Sequence, residues 1–239
     1  MKPHMHRIAI FFLFASFAWP HQADKFTTKA GRLTITPVHH ASLMLEGGGQ
    51  VIHVDPNTAG NYGVLPKADL ILITDVHGDH MDAKAIARLR KAGTQILAPE
   101  AVAKTMTDVT IIRNGETKTV GGWRIDAVPM YNLKRGPAEG KLYHDKGRGN
   151  GYVLTFGAKR FYIAGDTEAI PEMLALKNIN VAFVPMNLPY TMTPGEAAAA
   201  VRAFSPKIVY PYHFGKSDVG EFQRALAGTK IDVRLRNWY

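Results

Sequence analysis

The sequence predicts an α/β fold in which two sheets pack together with helices on the outside. Three observations predict it. Short strand-like runs alternate with amphipathic helical runs between about residue 33 and residue 235. The run Leu70-Ile-Leu-Ile-Thr74 is continuously apolar, as expected of a strand buried on both faces. The order of elements occurs twice, hairpin strands first and strand–helix alternation second, without a short-period repeat.

Taken in order, residues 33–38, 42–45 and 51–54 read as strands, with Gly47-Gly-Gly49 as the hairpin turn between the second and third. The strand at Leu70 follows. Residues 83–91 read as a helix, with Ala, Ile and Leu on one side and Lys and Arg on the other. Residues 95–97, 109–112, 117–120 and 123–128 continue the strands. In the second half, 151–156 and 160–163 form a hairpin across Gly157-Ala-Lys159. Then come a helix (168–175), a strand (181–184), a helix (194–204), a strand (208–210), a helix (219–226) and a final strand (231–235). Thr193-Pro-Gly-Glu196 starts its helix with Thr as N-cap, Pro at the first position and Glu at the third. Residues 131–150 lack apolar periodicity and carry Lys134, Arg135, Lys141, Lys146 and Arg148 against Glu139 and Asp145. Loops of this length are uncommon and are usually functional or disordered.

Composition narrows the function. The chain has 239 residues, 46% hydrophobic and 21% charged, which excludes a disordered chain, a collagen-like repeat and a coiled coil. That length buries a full core without staples. There is no cysteine, so disulfide frameworks, Cys-based zinc sites and cysteine nucleophiles are excluded. Any metal must be held by His, Asp or Glu. The formal charge is +9.

The start reads as a leader. Lys2 and Arg7 precede Ile8-Ala-Ile-Phe-Phe-Leu-Phe-Ala-Ser-Phe-Ala-Trp19, which is shorter than the ~20 residues a membrane span needs. It fits the apolar region of a secretory signal peptide. Ser16-Phe-Ala18 offers a small-x-small cleavage pattern, and His21-Gln-Ala23 a poorer, later one. The expected organisation is a signal peptide over 1–18, with cleavage as late as 23, and one domain over 24–239. The mature protein is then expected to be periplasmic or secreted, without a transmembrane segment. Cleavage after Ala18 removes Lys2 and Arg7 and no acid, lowering +9 to +7. His4, His6 and His21 belong to this region and carry no motif.

The densest chemical signal is Thr74-Asp-Val-His-Gly-Asp-His-Met81, directly after the Leu70 strand. Asp75, His77, Asp79 and His80 are four potential metal ligands within six residues. A strand that delivers them into a loop places them at the carboxyl end of a sheet, where α/β sites form. Side chains at i and i+2 can converge on one ion, and the next Asp-His pair can serve a second. Imidazole and carboxylate suit zinc, manganese or iron.

This run resembles the His-x-His-x-Asp-His signature of the metallo-β-lactamase fold superfamily, with Asp75 where the first His is usual. A carboxylate there makes the site harder and more anionic. Phe161-Tyr-Ile-Ala-Gly-Asp-Thr167 resembles the superfamily strand ending in Gly-Asp-Thr, which implies that Asp166 bridges two metals; taken alone it is an ordinary turn Asp or helix cap. Tyr210-Pro-Tyr-His-Phe214 resembles the last ligand motif and implies His213. The usual Pro-Gly-His is absent. His144 stands just before a strand, where the lactonase-like branch carries its ligand. Val38-His-His-Ala-Ser42 resembles that branch's Gly-His-Ala-Ser, with His39 in place of Gly, and implies that His40 lines the site. Val51-Ile-His-Val-Asp-Pro56 resembles an apolar strand ending in Asp-Pro; Asp55 would orient a ligand, although a turn Asp before Pro is equally compatible. His53 reads as strand surface. Met186-Asn-Leu-Pro-Tyr-Thr-Met-Thr193 resembles the branch's loop before its penultimate helix, where Asn187, Tyr190 or Thr191 would face substrate, although the same residues also serve to begin a helix.

The resemblance covers roughly residues 33–215 and is to the branch that includes L-ascorbate-6-phosphate lactonase. It implies a four-layer αβ/βα sandwich with the metals at one edge. Asp75, His77 and His144 would hold one divalent ion and Asp79, His80 and His213 a second, with Asp166 shared. Zinc is expected, with manganese or iron as alternatives. The implied activity is hydrolysis of an ester, lactone or phosphodiester by a metal-bound hydroxide that Asp79 orients or deprotonates. Asp75 and the missing Pro-Gly-His argue against β-lactam cleavage. The expected partner is a small-molecule or anionic substrate. A nuclease of the same fold is the first alternative, suggested by the charge, but export and the lack of interleaved stacking aromatics oppose it. The second is an inactive envelope-binding protein, which the intact Asp79-His80 pair opposes.

Overall fold

The structure is a computed structural model that describes residues 22–239, so the leader expected over 1–18 lies outside the described residues, as does His21. The strands form two seven-stranded sheets. The first runs in spatial order β1 (Asp24–Thr28), β2 (Gly31–His39), β3 (Ser42–Gly47), β4 (Gln50–Val54), β5 (Leu70–Leu72), β6 (Gln95–Ala98), β7 (Thr110–Ile111). The second begins at one edge with β8 (Thr117–Val120) and continues through β9 (Trp123–Met130), β10 (Gly149–Phe156), β11 (Lys159–Ile163), β12 (Val181–Pro185) and β13 (Ile208–Tyr212) to β14 (Asp232–Val233). In each sheet the first four strands pair antiparallel and the rest parallel. The two halves of the sequence are thus two halves of one sandwich.

Alternation decides the layers. Leu70 and Leu72 of β5 point into the core between the sheets, against Trp123, Leu154 and Phe183, whereas Ile71 and Ile73 pack under the helices. Helices α1 (Ala83–Leu89) and α2 (Glu100–Ala103) cover the first sheet. Helices α3 (Pro171–Leu174), α4 (Pro194–Phe204) and α5 (Val219–Ala225) cover the second through Met173, Ala197, Val201, Phe204 and Phe222. The result is the four-layer αβ/βα sandwich. The start of α4 is as read: Thr193 Oγ1 accepts from Glu196 N, and Glu196 accepts from Thr193 N in return.

Three readings are corrected and two elements are added. The helix expected over 168–175 shrinks to α3, because Pro171 disfavours helix at the residue before it and Glu168 is drawn away to the 131–148 loop. The last strand ends at Val233 because Arg234 and Arg236 turn to pair with Asp24 of β1. β1 and α2 were not expected: β1 is a polar edge strand, and α2 is a single four-residue turn, too short to show an apolar period. His53 is buried, not surface, because residues 56–68 cover that face and Pro66 O lies 2.9 Å from His53 Nε2.

Candidate metal centre

Strand ends bring the functional side chains together. Asp55 follows β4, Asp75 to His80 follow β5, Asp166 follows β11 and His213 follows β13. His40 sits in the β2–β3 turn and His144 in the loop between β9 and β10. His40, Asp55 and His213 all have left-handed backbone, with φ of 54°, 45° and 45°. Such conformations cost about 1–3 kcal/mol each in non-glycine residues and persist where the surroundings over-determine them.

Asp166 is the hub. Its carboxylate lies 3.4 Å from His80 Nε2, 3.3 Å from His144 Nε2 and 3.4 Å from His213 Nε2. All four residues are buried. Asp79 Oδ2 lies 3.3 Å from His213 Nε2, 3.8 Å from His80 Nε2 and 3.2 Å from His40 Nε2. Asp75 Oδ2 lies 3.0 Å from His77 Nδ1 and 3.9 Å from His144 Nε2. Three sets therefore have ligand-type atoms within 4.8 Å of one another: Asp75–His77–His144, His80–Asp166–His213 and His40–Asp79–His213.

Outer partners set the imidazoles. His80 Nδ1 is 2.8 Å from Asp55 Oδ2, and Asp55 is itself held by Thr74 N and Thr74 Oγ1 at 2.7 and 2.6 Å. His144 Nδ1 is 2.7 Å from Asn132 Oδ1, which also accepts from His144 N at 2.8 Å. A carboxylate or amide oxygen can only accept, so both rings carry a proton on Nδ1. Their Nε2 atoms face Asp166, and neither Nε2 nor Asp166 Oδ1 has a hydrogen-bond partner. A buried polar atom without a partner is costly, about 1–3 kcal/mol each. Imidazole nitrogens gathered around a carboxylate without hydrogen-bond partners fit a divalent cation, which would take the place of a proton there.

Charge agrees. Burial disfavours the charged form of His80, but Asp166 and Asp55 hold its pKa well above the usual histidine range. Burial opposes ionisation of Asp166, and His213 and His80 overcome it, holding the carboxyl well below its usual range. The cluster draws in positive charge. At Asp75 burial is again overcome, by His77, His80 and Arg148.

All the residues read as ligands meet here: Asp75, His77, Asp79, His80, His144, Asp166 and His213, with His40 and Asp55 against them. Asn187 and Tyr190 are less direct. Asn187 N donates to Thr191 Oγ1 at 2.7 Å, and Tyr190 packs on Tyr143 while its carbonyl accepts from Asn132 Nδ2 at 2.8 Å. Tyr190 thus braces the residue that orients His144. Sequence reading missed Asn132, Thr74, the Arg148–Asp75 pair and Tyr239, whose hydroxyl lies 2.8 Å from His40 Nδ1. Thr74 stands in the quoted run, but the others carry no local signal.

The Beta-lactamase superfamily domain model matches residues 34–213. A metal-dependent hydrolase of Thermococcus kodakarensis is 34% identical over 213 residues, covering 81% of this chain and 92% of that protein. A crystal structure from Parabacteroides distasonis, of a protein assigned as a metal-dependent hydrolase, is 49% identical with a TM-score of 0.86, covering 90% of this chain and 98% of that one. Igni18, a metallo hydrolase from Ignicoccus hospitalis, is 25% identical with a TM-score of 0.71, covering 86% and 95%. With the fold, the motif order and the clustered ligands, these likenesses show that the chain belongs to the beta-lactamase superfamily domain family.

Proposed function

We propose that the protein is a metal-dependent hydrolase that works at the edge where Asp166 meets His80, His144 and His213. One observation carries the reading: two buried imidazoles turn Nδ1 to Asp55 and Asn132 and leave Nε2 atoms without a hydrogen-bond partner beside Asp166. Two divalent ions are proposed. His80, Asp166, His213 and Asp79 would hold one, and Asp75, His77 and His144 the other, with Asp166 between them. Zinc suits this donor set, and manganese or iron also fits. Bound there, such ions make water acidic enough to ionise near neutral pH and polarise a scissile oxygen.

The chain's own groups supply orientation and proton handling. Asp79 has the most exposed carboxylate of the cluster, 43% accessible, and is placed to accept a proton from an attacking water. His77 is half-exposed and forms the open side of its set. Asp55 and Asn132 keep His80 and His144 in register. The substrate class is an ester, lactone or phosphodiester. The likeness to the ascorbate-6-phosphate lactonase branch and the basic charge favour an anionic small molecule. Export by the leader makes a periplasmic or secreted site of action the companion proposal.

Elemental analysis of the purified protein, joined to a panel of lactones, phosphodiesters, carboxylic esters and oligonucleotides, tests the reading. Bound divalent metal and turnover of one of the small substrates are expected, both lost in His80→Ala/His213→Ala. Full turnover in the metal-depleted double variant would overturn it.

A further inference from the structure

We infer that Leu133, Tyr143, Leu188, Tyr190 and Tyr239 form an apolar arc along one side of the metal centre, and that the arc selects a substrate with an alkyl or aryl arm beside its scissile bond. The scissile bond rests on the hydrolase reading, whereas the arc is a feature of the surface itself. Exposed apolar side chains scattered singly are normal, but a grouped set marks a place of contact. Among the described residues five large hydrophobic side chains stand exposed, and four of them gather here: Leu133, Leu188, Tyr190 and Tyr239, between 44% and 52% accessible. The fifth, Val64, belongs to the 56–68 segment over the first sheet.

A chain of contacts joins the arc to the centre. Tyr239 Oη lies 2.8 Å from His40 Nδ1 and receives the Gly215 N–H at 2.7 Å. The Tyr239 ring packs edge-on against Phe214, centroids 4.9 Å apart, and Phe214 follows His213. A side chain added to Gly215 would meet Asn187 Oδ1 at 2.6 Å, so the 187–191 turn sits directly on that backbone. Asn187 O closes the turn by accepting from Tyr190 N and Thr191 N, both at 2.9 Å, and Leu188 and Tyr190 stand exposed on it. The Tyr190 ring meets the half-buried Tyr143 ring edge-on at 4.9 Å, and Tyr143 precedes His144. Leu133 follows Asn132, which holds both His144 and the Tyr190 carbonyl. The arc thus runs from the His40 and His213 end of the centre to the His144 end.

These side chains are exposed without being loose. Thr191, Asn132 and Glu168, whose hydrogen bonds fasten the turns beneath them, are all buried. Apolar surface already held in a fixed shape binds at a low ordering cost. Across the centre the 77–79 loop of the first sheet is polar: His77 and Asp79 are its open side chains, and Asn57 Nδ2 donates to Gly78 O between them. A substrate that lays its reacting group over that loop turns its other end onto the arc. A charged or sugar-like end would lose water there without gaining partners. An alkyl or aryl arm covers the arc and leaves the polar side to the reacting group.

The test is calorimetric binding of straight-chain carboxylates, butyrate to octanoate, to the full chain with zinc added, beside turnover of the matching ethyl esters. Affinity should rise about twofold per added methylene, as for a methylene half removed from water. The same order should appear in kcat/KM for the esters. Leu188→Asn and Tyr190→Ala, both at exposed positions, should each flatten the series, while Val64→Ser, off the arc, should keep its slope. A flat series in the parent, or a slope that survives in both arc variants, would overturn the inference. A slope without turnover of any ester supports the arc and counts against the hydrolase reading. Turnover with a flat series does the reverse.

Discussion

Arg148 grips Asp75 with two parallel hydrogen bonds, Nε to Oδ1 at 3.1 Å and Nη2 to Oδ2 at 2.7 Å. Asp75 is fully buried, and Arg148 Nη1 is held in turn by Tyr143 O at 2.8 Å. The carboxylate that replaces the usual His of the motif therefore comes with its own cation, drawn from the basic loop. This makes the two proposed metal sets unequal. Asp166 meets imidazoles, whereas Asp75 already has a guanidinium on the oxygen that faces His77 and His144.

Unequal sets predict unequal affinities. Calorimetric titration of metal-free protein with zinc should resolve one tight equivalent and a second, weaker one. Arg148→Gln should tighten the weaker step, because like charges no longer compete, while lowering the stability of the metal-free protein by about 1.5–3 kcal/mol for hydrogen bonds lost from a carboxylate that keeps His77 beside it. Two equal steps in the parent, unchanged in Arg148→Gln, would count against this account.

The residues behind the imidazoles should matter nearly as much as the imidazoles. Asp55→Asn removes the carboxylate behind His80, and Asn132→Ala removes the acceptor behind His144. Each is expected to lower zinc affinity or turnover about 10–100-fold with the fold retained. Competition with a chromophoric chelator reads the affinity, and circular dichroism reads the fold.

Glu168 fastens the long loop. It is buried and accepts from Lys134 N at 2.8 Å, from Leu133 N and from Arg135 Nη1. Arg135→Ala leaves that carboxylate with backbone donors only. The expected loss is about 3 kcal/mol, the low end for breaking a buried pair, because the two N–H groups remain. Urea unfolding measures it. A change under about 0.5 kcal/mol, the size usual for surface substitutions, would show that the loop is held elsewhere.

Glu196 gives a pH dependence away from the metal cluster. Burial opposes its ionisation, but Thr193 N–H, Arg135 and Lys134 overcome this and lower its pKa from 4.5 to about 2. A carboxyl with a depressed folded pKa contributes stability that is fully present above its unfolded value. That contribution fades as pH falls from about 4.5 toward about 2. The urea midpoint of Glu196→Gln should therefore lie below the parent's at neutral pH, and the gap should narrow between pH 5 and pH 3, near those two values. A gap that stays constant through that window would refute the assignment.

Local sequence determined much of this protein. Apolar runs such as Leu70 to Thr74 announce strands because a doubly covered strand has no polar face to show. Thr193 to Glu196 announces a helix start because its caps are local. Asp75, His77, Asp79 and His80 announce a site because four ligand types share one loop, and the motif order led to Asp166 and His213. What tertiary structure alone decided are the pairings between residues far apart in sequence. Asp75 and Arg148 are 73 positions apart, and His40 and Tyr239 are 199 apart. Neither Arg148 in a basic loop nor Tyr239 beyond the last strand carries a pattern that names its partner. Hydrogen-bond direction at His80 and His144 depends on which acceptor stands behind each ring. Only the packing of the two sheets places those acceptors.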